Sequence, residues 1–467
     1  MSHCVIALLS NSPGASVKQA VSFTQDPVGH LLYRMSLPMV WGLLATMSFN
    51  AVDTYFVAQL GEESLAAMSF TFPVVMVVTS MAIGLGAGTS SVIARLLGQQ
   101  RTDYARRLAA DSLLLSTLLS IVMVVIGLLT IEPLFLLLGA SPELIPEIAS
   151  YMRIWYLSAP FIIIPMTISA LMRATGNNMV WGILMIVAAV LNGILDPILI
   201  FGWGPIPRME IEGAAWATLL TRLLLVAGSG YYVLNRLKLV SMPHTRWQDV
   251  REAWASILHI GIPAMATNMI IPFASGITVA LVANYGLDAV AGFGVAQRIE
   301  PVVLIAFYAL SGVIGPFFGQ NMAQQYQQRQ KKALLLVMRF CLGFGLAIAI
   351  LLWLVAEPVS AWFSDSPQVV AVSVAYLMIV PVSYGLYGLV MSINATFNGL
   401  GKPMPSVVIS VMRVLGFYLP LVWLGQHLWG LNGLFAATGV ANILAGLLGY
   451  FWLRRTLKDN QLKKTTS

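Results

Sequence analysis

Asp53, Asn192, Asp196 and Thr218 are the residues of this chain whose types and places could do chemistry. Each falls inside a stretch apolar enough to cross a bilayer. A carboxylate at that depth is costly, and one that persists commonly serves an ion or proton path. Asp53 lies in LLYRMSLPMVWGLLATMSFNAVDTYFVAQLG, seven residues before Leu60. At a helical rise of 1.5 Å per residue this is roughly 10 Å below the surface, too deep for so short a side chain to snorkel out. Asn192 and Asp196 are four apart in VWGILMIVAAVLNGILDPILIFGW, so they share one helix face. Asp196 is seven residues before Trp203, the same depth as Asp53. Thr218 is five residues past Gly213 in a span running the other way, roughly 7–8 Å deep. Three helices thus bring two carboxylates, an amide and a hydroxyl to one level.

If those faces converge, the result is an all-oxygen site suited to a proton or to Na⁺. Two nearby carboxylates in a low dielectric do not both stay ionised cheaply, so at least one should hold a proton near neutrality. A hard cation would instead take the oxygens as ligands. The structural alternative is a fixed ion pair, since Arg222 lies one turn from Thr218 and could neutralise either aspartate. Pro197 follows Asp196 and leaves the Gly193 carbonyl without its helical donor. Pro38 loosens the first span about four turns from Asp53, either as a static kink or as a place where the helix bends when Asp53 titrates.

The elements that must hold these groups follow from composition. The chain has 467 residues, 58% hydrophobic and only 10% charged, with mean hydropathy +0.81. A soluble domain carries about 25% charged residues, so this is an integral membrane protein. Long helical runs rather than ten-residue alternation favour an all-α bundle over an outer-membrane barrel. About twelve spans are expected, near 31–60, 64–90, 106–131, 150–172, 179–203, 213–236, 255–285, 288–318, 333–356, 369–396, 404–426 and 431–455. Loops alternate between basic and acidic. Of 26 Lys and Arg, only Arg153 and Arg208 fall on the acidic side, which places both termini in the cytoplasm. Residues 1–27 read as a tail without a convincing signal peptide, 237–254 as a cytoplasmic linker and 457–467 as a second tail. Cys4 and Cys341 are not placed to form a structural disulfide, and no Cys/His metal-ligand spacing exists.

The chain also repeats itself. Pro38 pairs with Pro263, Gly61 with Gly286 and Gly176 with Gly401, each 225 residues apart. GQQ at Gly98 resembles GQN at Gly319, and EGAAWAT resembles NGLFAAT at nearly the same shift. Two six-helix lobes, 28–236 and 255–456, therefore run in the same direction, with a substrate path expected where they meet. At the same shift Asp53, Asn192 and Asp196 correspond to Thr278, Phe417 and Leu421, which places the ion chemistry in the first lobe. Arg298 and Glu300 are two apart, so they face different sides; they serve either to hold helices together or as a second site, and Arg413 is a further charge at depth. The 23 methionines, Met47, Met68, Met166, Met172 and Met185 among them, could line an adaptable pocket or be plain lipid and core contacts.

The motifs SFNAVDTYFVAQLG, RATGNN, NGILDPILIF and GAAWAT, in this order over residues 30–455, resemble the multidrug and toxic compound extrusion (MATE) family, and the acids on helices one and five resemble its prokaryotic DNA-damage-inducible branch. The resemblance implies a V-shaped bundle of two lobes around a central cleft. It implies export of cationic amphipathic drugs in exchange for H⁺ or Na⁺, with no cofactor, no enzymatic activity and no nucleic-acid partner. It puts the coupling ion at Asp53, Asn192, Asp196 and Thr218 and a protonation-linked bend at Pro38; Glu300 leaves a second ion site open. A monomer in a bacterial or archaeal-type plasma (inner) membrane is expected. The rivals are a lipid-linked precursor flippase of a related fold, a channel, and a membrane-embedded enzyme, for which no nucleophile or paired-His motif lies in any span.

Overall fold

A computed structural model describes residues 22–241 and 246–465. Residues 1–21 of the expected tail over 1–27, with Cys4 and Lys18, lie outside the described residues, as do residues 242–245 of the expected linker. Of the rest of that tail, Phe23 is buried in the second lobe's core. Among the described residues every regular element is helical, apart from one isolated bridge between Trp203 and Ile206.

The first six helices are α1 (Val28–Ala58), α2 (Glu62–Gly98), α3 (Thr102–Leu137), α4 (Ile145–Leu157 continuing as Pro160–Ala174), α5 (Asn178–Phe201) and α6 (Glu210–Tyr231). The next four are α7 (Trp247–Ala283), α8 (Leu287–Val303 and Ile305–Gln320), α9 (Gln327–Ala361) and α10 (Pro367–Ile379 and Tyr384–Gly399). The two parts of α8 meet at 46° beside Pro301.

The last helical run covers 404–465 without a gap, but it is two helices. Trp429 and Gly430 leave helical geometry, with Gly430 at φ 55°. A Cβ added to Gly425 would lie 2.4 Å from the Gly433 carbonyl oxygen. Eight residues of continuous helix would hold those positions about 12 Å apart. The chain therefore reverses there, giving α11 (404–428) and α12 (431–465), and a total of twelve membrane helices among the described residues. Their outer faces are apolar. Leu118, Val125 and Leu129 on α3 and Leu346, Ile350 and Leu354 on α9 are exposed along single faces, as lipid contact requires.

Two hydrophobic cores underlie the two lobes, and the helices that start them are exchanged. The first core runs from Val57 to Leu239 and takes in Ala253, Ile257 and Ile260 of α7. The second runs from Val282 to Leu457 and takes in Val28, Leu31, Leu32 and Met35 of α1. Val28 and Met35 correspond to Ala253 and Ile260 at the repeat shift of 225, so the exchange is symmetric. The expected linker over 237–254 overlaps the start of α7. Val250, Ala253 and Ile257 form a buried stripe at helical spacing, and Trp254 Nε1 donates to the Asp111 carbonyl at 3.0 Å, so α7 is already helical from Trp247. At the other end, the helix runs to Thr465, through most of the expected tail over 457–467.

The lobes are sealed against each other at the end that carries both termini. Ser91 Oγ donates to the Asn398 carbonyl at 2.5 Å, and Gln320 Nε2 donates to the Ala174 carbonyl at 2.7 Å. Ala174, Gln320 and Asn398 all sit where their helices finish at that end.

Candidate functional site: a buried oxygen cluster on α1, α5 and α6

Helices α1 and α5 start at the same end and pack closely along their length. Asn178 Nδ2 donates to the Met35 carbonyl at 3.1 Å. A Cβ on Gly182 would sit 2.6 Å from the Pro38 carbonyl oxygen, so only glycine lets the two backbones approach this closely. Higher up, Val52 lies against Gly193. That register puts Asp53 level with Asn192 and Asp196. Helix α6 runs antiparallel and joins at Gly213, where an added Cβ would lie 2.5 Å from the Leu199 carbonyl. Five residues on, Thr218 is at the level of Asn192 and Asp196.

All four side chains are buried: Asp53 is 6% exposed, Thr218 3%, and Asn192 and Asp196 0%. Asn192 Nδ2 donates to Asp196 Oδ1 at 3.0 Å. The other oxygens have no protein partner: Asp53 Oδ1, Asn192 Oδ1, Asp196 Oδ2, Thr218 Oγ1 and, one turn on, Thr221 Oγ1. Each buried oxygen left without a donor costs about 1–3 kcal/mol. Three adjacent helices that all pay this cost at one depth make a site able to take a proton or a hard cation.

Arg222 forms no direct ion pair with either aspartate, the structural alternative raised by its place one turn from Thr218. Its Nη1 donates to Ser158 Oγ at 2.9 Å and its guanidinium faces the Trp155 ring at 6.0 Å. Elsewhere, Arg208 and Glu210 form an exposed salt bridge. Arg222 leans toward α4 because the α6 face after Thr221 turns away from α5. It still lies within electrostatic reach of Asp53 and of the buried Tyr151. Asp53 and Asp196 likewise feel each other's charge.

Tyr151, Ser158 and Thr221 were not singled out in the sequence. Tyr151 is six residues into α4, roughly 9 Å, which is the depth that drew attention to Asp53. Counting phenols among the polar groups would have found it. Pro197 continues α5 directly after Asp196, whereas Pro38 lies about four turns away at the other end of α1. Glu300, Arg298 and Arg413 belong to the second lobe. Arg298 is exposed. Glu300 is half-buried and accepts from Tyr376 Oη at 2.8 Å and Gln297 Nε2 at 2.9 Å. At the places equivalent to Asp53, Asn192 and Asp196, the Thr278 hydroxyl is 2.7 Å from Tyr418 Oη, and Phe417 and Leu421 carry no polar atom. Among the described residues no group of three or more His, Cys, Asp or Glu could hold a metal ion.

A family model described as MatE matches residues 38–198 and, again, 263–424, so each match starts on one of the paired prolines. The chain is 38% identical over 441 residues to the FAD transporter of Shewanella oneidensis, covering 94% of this chain and 97% of that protein. It is 24% identical over 410 residues to the probable multidrug resistance protein YoeA of Bacillus subtilis, covering 87% and 89%. Among solved structures it resembles the Vibrio cholerae MATE transporter VcmN in the bent form, with TM-score 0.88, 32% identity and coverage of 93% and 98%.

Proposed function

This chain belongs to the MatE family of membrane transporters, and on that premise we propose that it is an antiporter exporting amphipathic, chiefly cationic organic compounds in exchange for H⁺ or Na⁺. The observation that carries the reading is the set of unpaired buried oxygens on Asp53, Asn192, Asp196 and Thr218. A proton or Na⁺ arriving there satisfies several of them at once, and its release leaves them bare. The basic, terminus-bearing end faces the cytoplasm of a plasma-membrane protein.

Helix α1 transmits the event. Its first turns are fixed in the second core, and its later turns carry Asp53 against α5 in the first lobe. Pro38 sits where one anchorage gives way to the other, and a proline helix bends there at little cost. In the cycle, cargo enters from the cytoplasm while the aspartates are ionised. The coupling ion then enters from outside and neutralises them, α1 shifts on α5, and cargo leaves.

The relative named as an FAD transporter supports a second cargo class, a flavin nucleotide. Everted vesicles with an H⁺ or a Na⁺ gradient imposed alone, given ethidium or FAD in the outer medium, test both readings. Uptake driven by one gradient and abolished by Asp53→Asn is expected. Uptake that ignores both gradients overturns antiport.

A further inference from the structure

The second lobe contains a cavity of about 190 Å³ that the oxygen cluster does not touch. It lies between α7, α8, α10, α11 and α12. Its walls come from the places where helices are irregular. Glu300 and Leu304 flank the 46° bend of α8. Arg413, Val414 and Tyr418 lie on Met412–Tyr418, where α11 widens to π-helical hydrogen bonding. Such segments recur at functional sites, and broken helices are how membrane bundles build cargo pockets.

Four tyrosines and Phe293 supply the apolar surface, and Glu300 and Arg413 the charge. The Arg413 guanidinium stacks on the Tyr387 ring at 4.7 Å, and its Nη1 donates to Asn442 Oδ1 at 3.2 Å. Asn442 is held in turn by donating to Ser383 Oγ at 3.1 Å. No carboxylate lies within 4.0 Å of Arg413 among the described residues. A guanidinium has five N–H donors, so a planar fork of donors remains to be used. Glu300 Oε2 is held by Tyr376 and Gln297 on the other side.

We propose that this cavity is a binding site for one planar, uncharged or anionic heteroaromatic ring bearing carbonyl-type acceptors. The ring lies among the tyrosines with its acceptor edge on Arg413. Arg413 offsets Glu300, so the lining has no net negative charge to draw a bare cation. A cavity of about 150 Å³ holds benzene, so this one seats a single carbonyl-bearing ring and, being open on one side, leaves the remainder of a fused system outside. The cargo class thereby extends beyond cationic drugs. The proposal rests on the transport reading only in taking the ligand as cargo; binding itself needs no gradient.

The test is lumichrome, a neutral fluorescent fused ring with two carbonyls, titrated into the purified full-length protein in detergent. Saturable quenching is expected, weakened by about tenfold or more in Arg413→Met, with Arg413→Lys between. Ser275→Leu, which fills the cavity from α7, should weaken it as well without touching Arg413. Ethidium binding should stay within about twofold of wild type in Arg413→Met. Asp53→Asn should bind lumichrome normally while failing to transport, so the coupling reading and this one fail separately. No saturable quenching by the wild type, or unaltered quenching in both Arg413→Met and Ser275→Leu, overturns the proposal.

Discussion

The two lobes repeat one fold yet treat polarity oppositely. In the first, Asp53, Asn192 and Asp196 sit buried with oxygens to spare; in the second, the equivalent places hold a Thr278–Tyr418 pair and two apolar side chains. The charge moves elsewhere: Arg413 stands where the first lobe has Ala188. Packing differs to match. Gly42 and Gly182 let α1 and α5 touch backbones, while Thr267 and Val407 occupy those places between α7 and α11. On the proposed reading, a repeat doubled in this way leaves one copy to take a small ion between close helices. The other copy keeps wider spacing and an aromatic cavity.

The contrast breaks most completely if the acids are interchangeable with amides. Asp196→Asn should reduce drug export to that of cells lacking the protein, measured by ethidium accumulation, while the folded protein still reaches the membrane. Next in size is the packing contrast. Gly182→Val gives the first lobe the second lobe's residue and drives a side chain into the Pro38 carbonyl. It should cost about 1–3 kcal/mol in denaturant unfolding in detergent and slow transport. A smaller loss, about 1 kcal/mol, should follow Thr278→Val, which takes away one of the two threonine partners of Tyr418 Oη and touches no coupling group. Gradient-driven transport of ethidium by that variant should match wild type. Smallest of all, Arg298→Ala at an exposed place should stay within about 0.5 kcal/mol in the same unfolding assay.

Much of this architecture is legible in the chain because a bilayer imposes long apolar runs and keeps charge at their ends. Those two constraints yield twelve spans, and the paired prolines and glycines 225 residues apart yield the repeat, without any knowledge of contacts. Depth is also legible, since it is a count of residues along a helix, and so Asp53, Asp196 and Thr218 line up on paper. Facing is not. Arg222 looked able to reach an aspartate, but its stem points to α4 and Ser158. Tyr151 went unremarked because a buried phenol at a span's outer end reads as an interfacial aromatic. The exchange of the first turns of α1 and α7 between cores depends on how two lobes dock, which no local pattern encodes. The early start of α7 escaped notice because Asp249, Arg251 and Glu252 made the stretch look like a loop, though Val250, Ala253 and Ile257 already marked a helix face.

The central claim is that the bare oxygens of the first lobe carry the coupling ion. It is tested most directly by reconstituting the protein in liposomes holding a pH-sensitive dye and measuring proton movement as cargo is added. Should Na⁺ be the coupling ion, a Na⁺ indicator replaces the dye. The account predicts cargo-dependent ion movement by wild type and none by the Asp53→Asn, Asp196→Asn double variant. Undiminished cargo-coupled ion movement in that variant would contradict it.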